Sequence, residues 1–566
     1  ILCIGYKEKE AGFYDSFATH FSPKIPLFNN LVQIGTGEGK SVTLAVTSIV
    51  LALFGFDVSC ACYSQYLSQR DLADFEPLFT LLGVQQYIHY GTFNQICERI
   101  INEKGDIRRR VENIISPSSS SSSKTDAASP FHIDSDRAKI LLIDEVDVFF
   151  NKEFYGNVYT PISSLKGTEI TSLINYIWTN RNSLNFNSLK TSTEYQTCCK
   201  KYPEWIGLIE ETSKDMISDV KNFDHSYIVL EDKIGYKEQD SISFTVSYGY
   251  KTIFAYFKEC ENGNISVKSR DENICINVNC GSFSYAELPS KFSYIMGVTG
   301  TLKTLSDPEE RVIREIYHIM KKTYSPSVFG ANNRQFRPET DIKIETLPDY
   351  YNSISREITD RLIGKTQGTQ RAVLVFFESK EKLMEFYNSP SAITLRDNIQ
   401  IMTEELTSAE KNTYIKRATS TGQITLLSRV FGRGTDFVCR DQIVGANGGV
   451  HVIQVFLSEE LSEETQIQGR TARQGDHGSY SMILLDQSLE KFTNLDELKE
   501  AQQKTGVYEF LNQKRNDYFR KQYEENEKRV EKAKAAHEAT EQFVTAIDEN
   551  NIEFLQKYLL DHNKST

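Results

Sequence analysis

The chain has 566 residues, 25% of them charged and 39% hydrophobic, enough for about three or four structural units at roughly 150 residues each. Asp plus Glu (77) outnumber Lys plus Arg (64), a formal net charge of −13. That is the wrong sign for a chain that wraps nucleic acid, although a local basic groove remains compatible with it, and the composition excludes collagen-like, disulfide-framework and multi-span membrane classes.

Residues 1–29 carry no clear period. Leu31–Ile34 reads as a short strand that runs into Gly35-Thr36-Gly37-Glu38-Gly39-Lys40-Ser41, then into a helical apolar run ending at Phe54. The longest apolar stretch, Val42–Phe56, is broken by Thr43, Thr47 and Ser48 and falls short of the ~20 residues a spanning helix needs. Val58–Tyr63 is expected as a buried strand and Leu67–Leu82 as a helix. Arg108–Arg110 is a basic triplet, read as a solvated face. It leads to six consecutive serines at Ser118–Ser123, inside a polar stretch from about 116 to 136 with two prolines, expected as a disordered loop.

Lys139–Ile143 is a buried strand ending in Asp144-Glu145-Val146-Asp147. Strand, turn and helix signals alternate up to this point, which indicates a parallel α/β sheet. From 151 to 291 the texture changes, with helical residues first and β-rich pieces such as Ser241–Ala255 later, and an inserted α+β domain is expected. Tyr294–Thr301 returns to a buried strand with a small-residue turn. A second α/β unit follows, with strands expected at Arg371–Phe377, Gln423–Leu427 and His451–Phe456, and at Ser479–Leu485, which closes the sheet. Asn494–Phe543 is charged and almost free of Gly and Pro, giving one or two long helices, and Ala546–Leu560 is compatible with a further helix.

The 10 cysteines contain no CxxC pair, and Cys60/Cys62 and Cys198/Cys199 are the close spacings. Neither matches a zinc knuckle, so reduced buried thiols are the reading. The sequence begins at Ile1 rather than Met, and whether a targeting segment precedes it stays open. The expected location is cytoplasmic, with a membrane surface as a peripheral site.

Three blocks carry chemistry. In the first, backbone N–H groups of the glycine loop and the following helix N-terminus form a nest for phosphate oxygens. Lys40 reaches the β and γ phosphates and Ser41 holds Mg²⁺. The long G-x-x-x-x-G-K-[ST] pattern is not met, because its first glycine falls on Ile34, but Thr36–Ser41 fits the shorter T-G-x-G-K-[ST] form. In the second, Asp144 at a strand end holds Mg²⁺ and Glu145 orients the attacking water. In the third, Gly432-Arg433-Gly434-Thr435-Asp436 precedes the Gln466–Gly475 block. Arg470 and Arg473, three residues apart on a helix, share a face. Across a cleft they neutralise charge on the γ phosphate, an effect of about 10³ or more. Together these blocks describe two RecA-like P-loop lobes closing on one ATP.

The same residues resemble the SecA preprotein translocase ATPase family. GTGEGKS at 35–41, YLSQRD at 66–71, EPLFTLLGV at 76–84, Tyr90-Gly91-Thr92, LLIDEVD, Gly297-Val298-Thr299-Gly300-Thr301, GRGTDF at 432–437 and the Gln466–Asp476 block agree in order and spacing from about 31 to 490. The resemblance implies a preprotein-binding insertion at 151–291. It implies nucleotide contacts at Thr36, Gly37, Glu38, Gly39, Lys40, Ser41, Asp144, Gly434 and Asp436, Mg²⁺ at Ser41 and Asp144, and catalysis by Glu145, Arg470 and Arg473. The implied partners are unfolded polypeptide or preprotein, with a membrane translocon or lipid surface beyond it; nucleic acid is disfavoured, and a homodimer stays open. The family's Thr-Asn-Met-Ala before GRGTD is Ser428-Arg429-Val430-Phe431 here. Thr19 and His20 stand near where an adenine-reading glutamine is expected, and the family's wing, two-helix finger and zinc tail find no match.

The expected layout is an unassigned segment at 1–29, a first RecA-like lobe at 30–150 and 292–335, the insertion at 151–291, a second RecA-like lobe at 336–490, and a helical scaffold-like region at 491–566. The expected activity is ATP hydrolysis coupled to polypeptide translocation or remodelling. The alternatives are a nucleic-acid helicase of the same two-lobe class and a nucleotide-switched scaffold.

Overall fold

The computed structural model describes residues 27–116, 137–146, 154–222, 227–238, 241–244, 248–364, 369–503 and 506–563. The segment before residue 27, with Thr19 and His20, the polar loop from 117 to 136, and residues 147–153 lie outside the described residues. Two compact units are built from alternating stretches of chain. The first takes residues up to 93, then 136–155 and 289–528; the second takes 94–135, 156–288 and 529 onward.

The first unit contains two parallel sheets. In the first lobe β1 (Asn30–Gln33), β2 (Asp57–Ala61), β3 (Ile88–Gly91), β4 (Lys139–Asp144), β5 (Tyr294–Thr299) and β6 (Lys321–Tyr324) lie in the order β6-β1-β5-β4-β2-β3. All these pairs are parallel. Helix α1 (Lys40–Leu53) follows β1 and helix α2 (Gln65–Leu81) follows β2. Parallel strands are covered on both faces, so they read as continuous apolar runs rather than alternating ones. Accordingly Leu44 and Leu51 of α1 pack with Phe56, Val58, Ile140, Leu142 and Val298, while Ala45 and Ile49 pack with Phe79 and Ile88.

The second lobe has β7 (Asn333–Gln335), β8 (Ile342–Glu345), β9 (Val373–Phe377), β10 (Ile399–Met402), β11 (Ile424–Ser428), β12 (Val450–Gln454) and β13 (His477–Leu485), also parallel, in the order β7-β13-β12-β9-β11-β10. Here the expectation that Ser479–Leu485 closes the sheet is corrected. Strand β13 is interior, because β7 pairs with its first residues and β8 with its last. Both outer strands are short and none of their residues is fully buried, so neither leaves an apolar run in the sequence. Helix α3 (Leu461–Gln468) follows β12, and a 42-residue helix, α4 (Val507–Asp548), follows β13. Residues of α4 up to Lys528 belong to the first unit.

The second unit is mainly helical around a large core, with a smaller cluster at Ile234, Tyr236, Ala255, Tyr256 and Ile265. Ile107, Val111 and Ile115, expected in the first lobe, join Leu173, Ile177, Met216, Phe254 and Phe543 there. The 491–566 stretch is likewise divided between the units rather than forming one region. A second correction concerns Ser241–Ala255, expected as β-rich. Ser241–Ser243 is a strand, but Tyr250–Glu261 is a helix that buries Tyr250, Ile253, Phe254 and Phe257. Those positions have the i, i+3, i+4, i+7 spacing of one helix face; aromatic and β-branched content hides it.

Candidate functional site

The site is built at the carboxyl ends of β1, β4 and β5. In the glycine loop Gly37 (φ 81°) and Gly39 (φ 86°) both occupy the left-handed region, which a side chain tolerates poorly. Gly39 caps α1 with no side-chain hydrogen bond, so the first N–H groups of the helix have no side-chain acceptor. Left-handed turns leading into an uncapped helix N-terminus make an anion cradle. Lys40 and Ser41 are the first two residues of α1. Glu38 folds back, its carboxyl carbon 2.8 Å from where a Cβ on Gly35 would stand. The Thr36 Oγ1 lies 3.3 Å from the Cβ position of Gly300, with the Lys40 ammonium at 3.7 Å and Ile34 O at 3.8 Å from the same point.

Strands β1 and β4 are separated by β5, and the three ends converge on Glu145. Its carboxylate forms an ion pair with Lys40. Its Oε2 accepts hydrogen bonds from Thr299 Oγ1 at 3.3 Å and from Gln466 Nε2 of the second lobe at 3.2 Å. Glu145 is buried, and its N–H donates to Val298 O at 2.9 Å. Its φ of 58° is left-handed, a costly conformation for a residue that is not glycine and one that clusters at functional sites. Asp144, the last residue of β4, is buried, and its Oδ1 has no hydrogen-bond partner. Burial, then the neighbouring Glu145 carboxylate, push its pKa upward. A buried carboxylate oxygen left open in this way fits a hard cation, so the residues present are compatible with Mg²⁺.

The second lobe supplies the other wall. Arg470 and Arg473 were expected on a helix, but α3 ends at Gln468 and both lie in the turn beyond it. There Ala472 (φ 53°) and Gln474 (φ 51°) are left-handed. The two arginines still converge, for a different reason: both donate to the Thr435 carbonyl. Arg470 Nε also donates to Gln466 O at 3.0 Å, and Arg473 Nε to Gly469 O at 2.8 Å. Arg473 forms an ion pair with Asp436. Burial lowers both guanidinium pKa values to about 10, which leaves them cationic near neutrality.

The turn is seated on the glycine loop. Gln474 Nε2 donates to Gly37 O at 2.9 Å, the Arg473 Cδ lies 3.6 Å from where a Gly37 Cβ would be, and Thr36 Oγ1 is 3.2 Å from the Cβ position of Gly469. Gly434 (φ 64°) abuts α2, its Cβ position 2.4 Å from Leu67 Cδ1. The structure therefore brings Thr36, Gly37, Lys40, Glu145, Arg473 and Gly469 together, with Arg470 beside them and Asp436 held by Arg473. Thr299 and Gln466 were quoted within motifs but given no role. Their signal is positional, since each sits one or two residues from a motif glycine or α3 terminus that touches the loop.

Two parallel α/β lobes, a glycine loop after one strand and a paired acid after another define a two-lobe, RecA-like P-loop NTPase. A family model described as the SecA DEAD-like domain matches residues 25–99. Protein translocase subunit SecA 2 of Chlorobium chlorochromatii (strain CaD3) is 22% identical over 516 residues, 82% of this chain and 72% of that protein. The SecA 2 subunit of Rhodopirellula baltica is 24% identical over 540 residues, 84% and 76% of the two chains. Among solved structures, a point variant of S. cerevisiae Dbp5 bound to RNA and ADP BeF3 covers 89% of this chain and 90% of its own at 10% identity and a TM-score of 0.37, a value that adds nothing to the sheet order. The chain is a divergent SecA-like protein.

Proposed function

We propose that this chain hydrolyses ATP between its two lobes and uses the cycle to move or remodel polypeptide. The observation that carries this is Glu145, held in a left-handed backbone with Lys40 of the glycine loop on one carboxylate oxygen and Gln466 of the second lobe on the other. Such a carboxylate orients an attacking water and reports the state of both lobes at once. Lys40 binds the phosphates after exchanging Glu145 for them, the free N–H groups of α1 receive phosphate oxygens, and Arg470 and Arg473 neutralise developing charge once they release Thr435 and Asp436. Ser41 and Asp144 hold Mg²⁺, which supplies charge neutralisation at the phosphates when bound.

Polypeptide is favoured over nucleic acid by the face at the carboxyl ends of β9, β11 and β12. It presents Glu378, Glu459 and Glu460 in part to solvent, while Glu404 and Glu463 are buried there. The arginines and lysine there are already committed: Arg429 to Glu463 at 2.7 Å, Arg433 to Glu460 at 3.2 Å, and Lys491 to Glu378 and Glu459, each at 3.2 Å. A phosphate backbone needs uncommitted cations to release its counterions.

The test is an ATPase assay of the purified chain with unfolded polypeptide, then RNA, added in turn. Turnover stimulated by polypeptide and reduced about 10²-fold or more in Lys40→Ala and Glu145→Gln is the expected result. Steep, salt-sensitive stimulation by RNA alone makes the chain a helicase. Tight ATP binding without turnover makes it a nucleotide-switched scaffold. Undiminished turnover in both variants removes the site altogether.

A further inference from the structure

Helix α3 is eight residues long, with Leu461 and Ile467 its only apolar members, yet residues 462–464 and 466–468 are all buried. A helix this polar has no apolar stripe to hold it, so each buried polar side chain must find its own partner. Glu463 receives the Arg429 guanidinium through two hydrogen bonds, at 2.8 and 2.7 Å. Gln466 reaches Glu145. Glu464, whose side chain is 0% exposed, pairs at 2.6 Å with Arg515 of α4, whose side chain is 1% exposed.

The rest of the Glu464 carboxylate is also engaged. Its Oε1 accepts from Tyr508 of α4 and from Gln468 Nε2 at 2.9 Å. Arg515 in turn donates to Asn512 Oδ1 and, at 3.4 Å, to Ser458 O. Phe336 closes the cluster, its ring 5.0 Å from Tyr480 and 5.8 Å from Tyr508. At about 100° per residue, Glu464 and Gln466 project from opposite sides of α3. The helix is therefore a bar with α4 on one side and Glu145 on the other.

We propose that Arg515 is a positioning residue for ATP turnover: its ion pair with Glu464 holds α3 in the register at which Gln466 meets Glu145 and the Arg470–Arg473 turn lies on the glycine loop. This rests on the ATPase reading above. A buried ion pair whose carboxylate also accepts from Tyr508 and Gln468 fixes distance and direction, whereas an apolar contact of equal volume lets two helices slide. A shift of the first turns of α4 is thereby conveyed to the water-orienting carboxylate.

The test compares wild type, Arg515→Met, the double variant Glu464→Leu/Arg515→Met, Gln466→Ala, and the triple variant. Turnover is read as kcat, nucleotide affinity by titration with a fluorescent ATP analogue, and folding by melting temperature. The double variant removes both charges of the pair together, so it is expected to fold, to bind nucleotide within about threefold of wild type, and to lose about tenfold or more in kcat. Adding Gln466→Ala should cost nothing further, because both changes break one linkage. A kcat within about twofold of wild type in the double variant, or losses that multiply in the triple, overturns the inference. If the double variant does not fold, Tyr508→Phe decides, since it removes one bond to Glu464: a two- to threefold fall in kcat at unchanged affinity, roughly the loss of a marginal hydrogen bond, supports the linkage, and unchanged kcat overturns it. Wild-type chain without turnover overturns the ATPase reading instead.

Discussion

Several single residues have consequences out of proportion to their size. Gly449 (φ 72°) lies so close to β13 that a Cβ would stand 1.7 Å from the His477 carbonyl oxygen, which is backbone and cannot move aside. Gly449→Ala is expected to cost at least ~3 kcal/mol, through overlap added to left-handed strain, and urea unfolding would show it. His451 is a second case. It is fully buried, with Nδ1 2.7 Å from Ser479 Oγ and Nε2 3.0 Å from Ser481 Oγ. Burial, then the charges of Arg371, Arg361 and Lys343, hold its pKa well below the ordinary value of 6.5. The unfolded chain therefore binds a proton that the folded lobe refuses. Stability is full above about pH 6.5 and falls by ~1.4 kcal/mol per unit below it, until the depressed folded value is reached. Denaturation at pH 7.5, 6.5 and 5.5, with His451→Gln as the reference, isolates this contribution; parallel pH slopes in the two proteins would contradict it.

At the scale of elements, the strands and α1 were readable because parallel strands buried on both faces leave unbroken apolar runs. Lys139–Asp144 is one such run, with five buried residues in succession. Helix α3 could not be read this way. Its sequence, LSEETQIQ, has the composition of an exposed helix, and only the partners of Glu463, Glu464 and Gln466 make burial tolerable. Thr540 shows the same dependence in the second unit. Its Oγ1 receives the Ser282 N–H at 2.8 Å and lies 2.8 Å from Tyr558 Oη. Thr540→Val keeps the shape but leaves both groups short of a partner. A loss of ~1–3 kcal/mol is expected, seen as a lower melting temperature for the second unit; a change under a few tenths of that would mean water satisfies both groups.

At the scale of the whole molecule, the second unit draws its core from three separated stretches of chain. Phe543, Leu555, Tyr558 and Leu559 supply the last of it. Burying four such side chains is worth roughly 6–12 kcal/mol, as much as the whole stability of an ordinary domain. Truncation after Lys528 is therefore expected to unfold residues 156–288, read by limited proteolysis with mass spectrometry. Protection of that stretch equal to wild type would show that the core closes without its C-terminal part.

The sequence by itself determined the engine. A glycine loop after an apolar strand, an acid pair after another and a distant arginine block are local patterns, and each depends on neighbours a few residues away. Tertiary structure alone decided how those parts are used. It places Arg470 and Arg473 in a turn rather than on a helix, sets Gln466 against Glu145, assigns Ile107, Val111 and Ile115 to the second core, and buries Glu464 against Arg515. These are contacts between residues tens to hundreds of positions apart. Local propensity and periodicity carry no information about such pairs, because the free energy that selects them exists only once both partners have left water together.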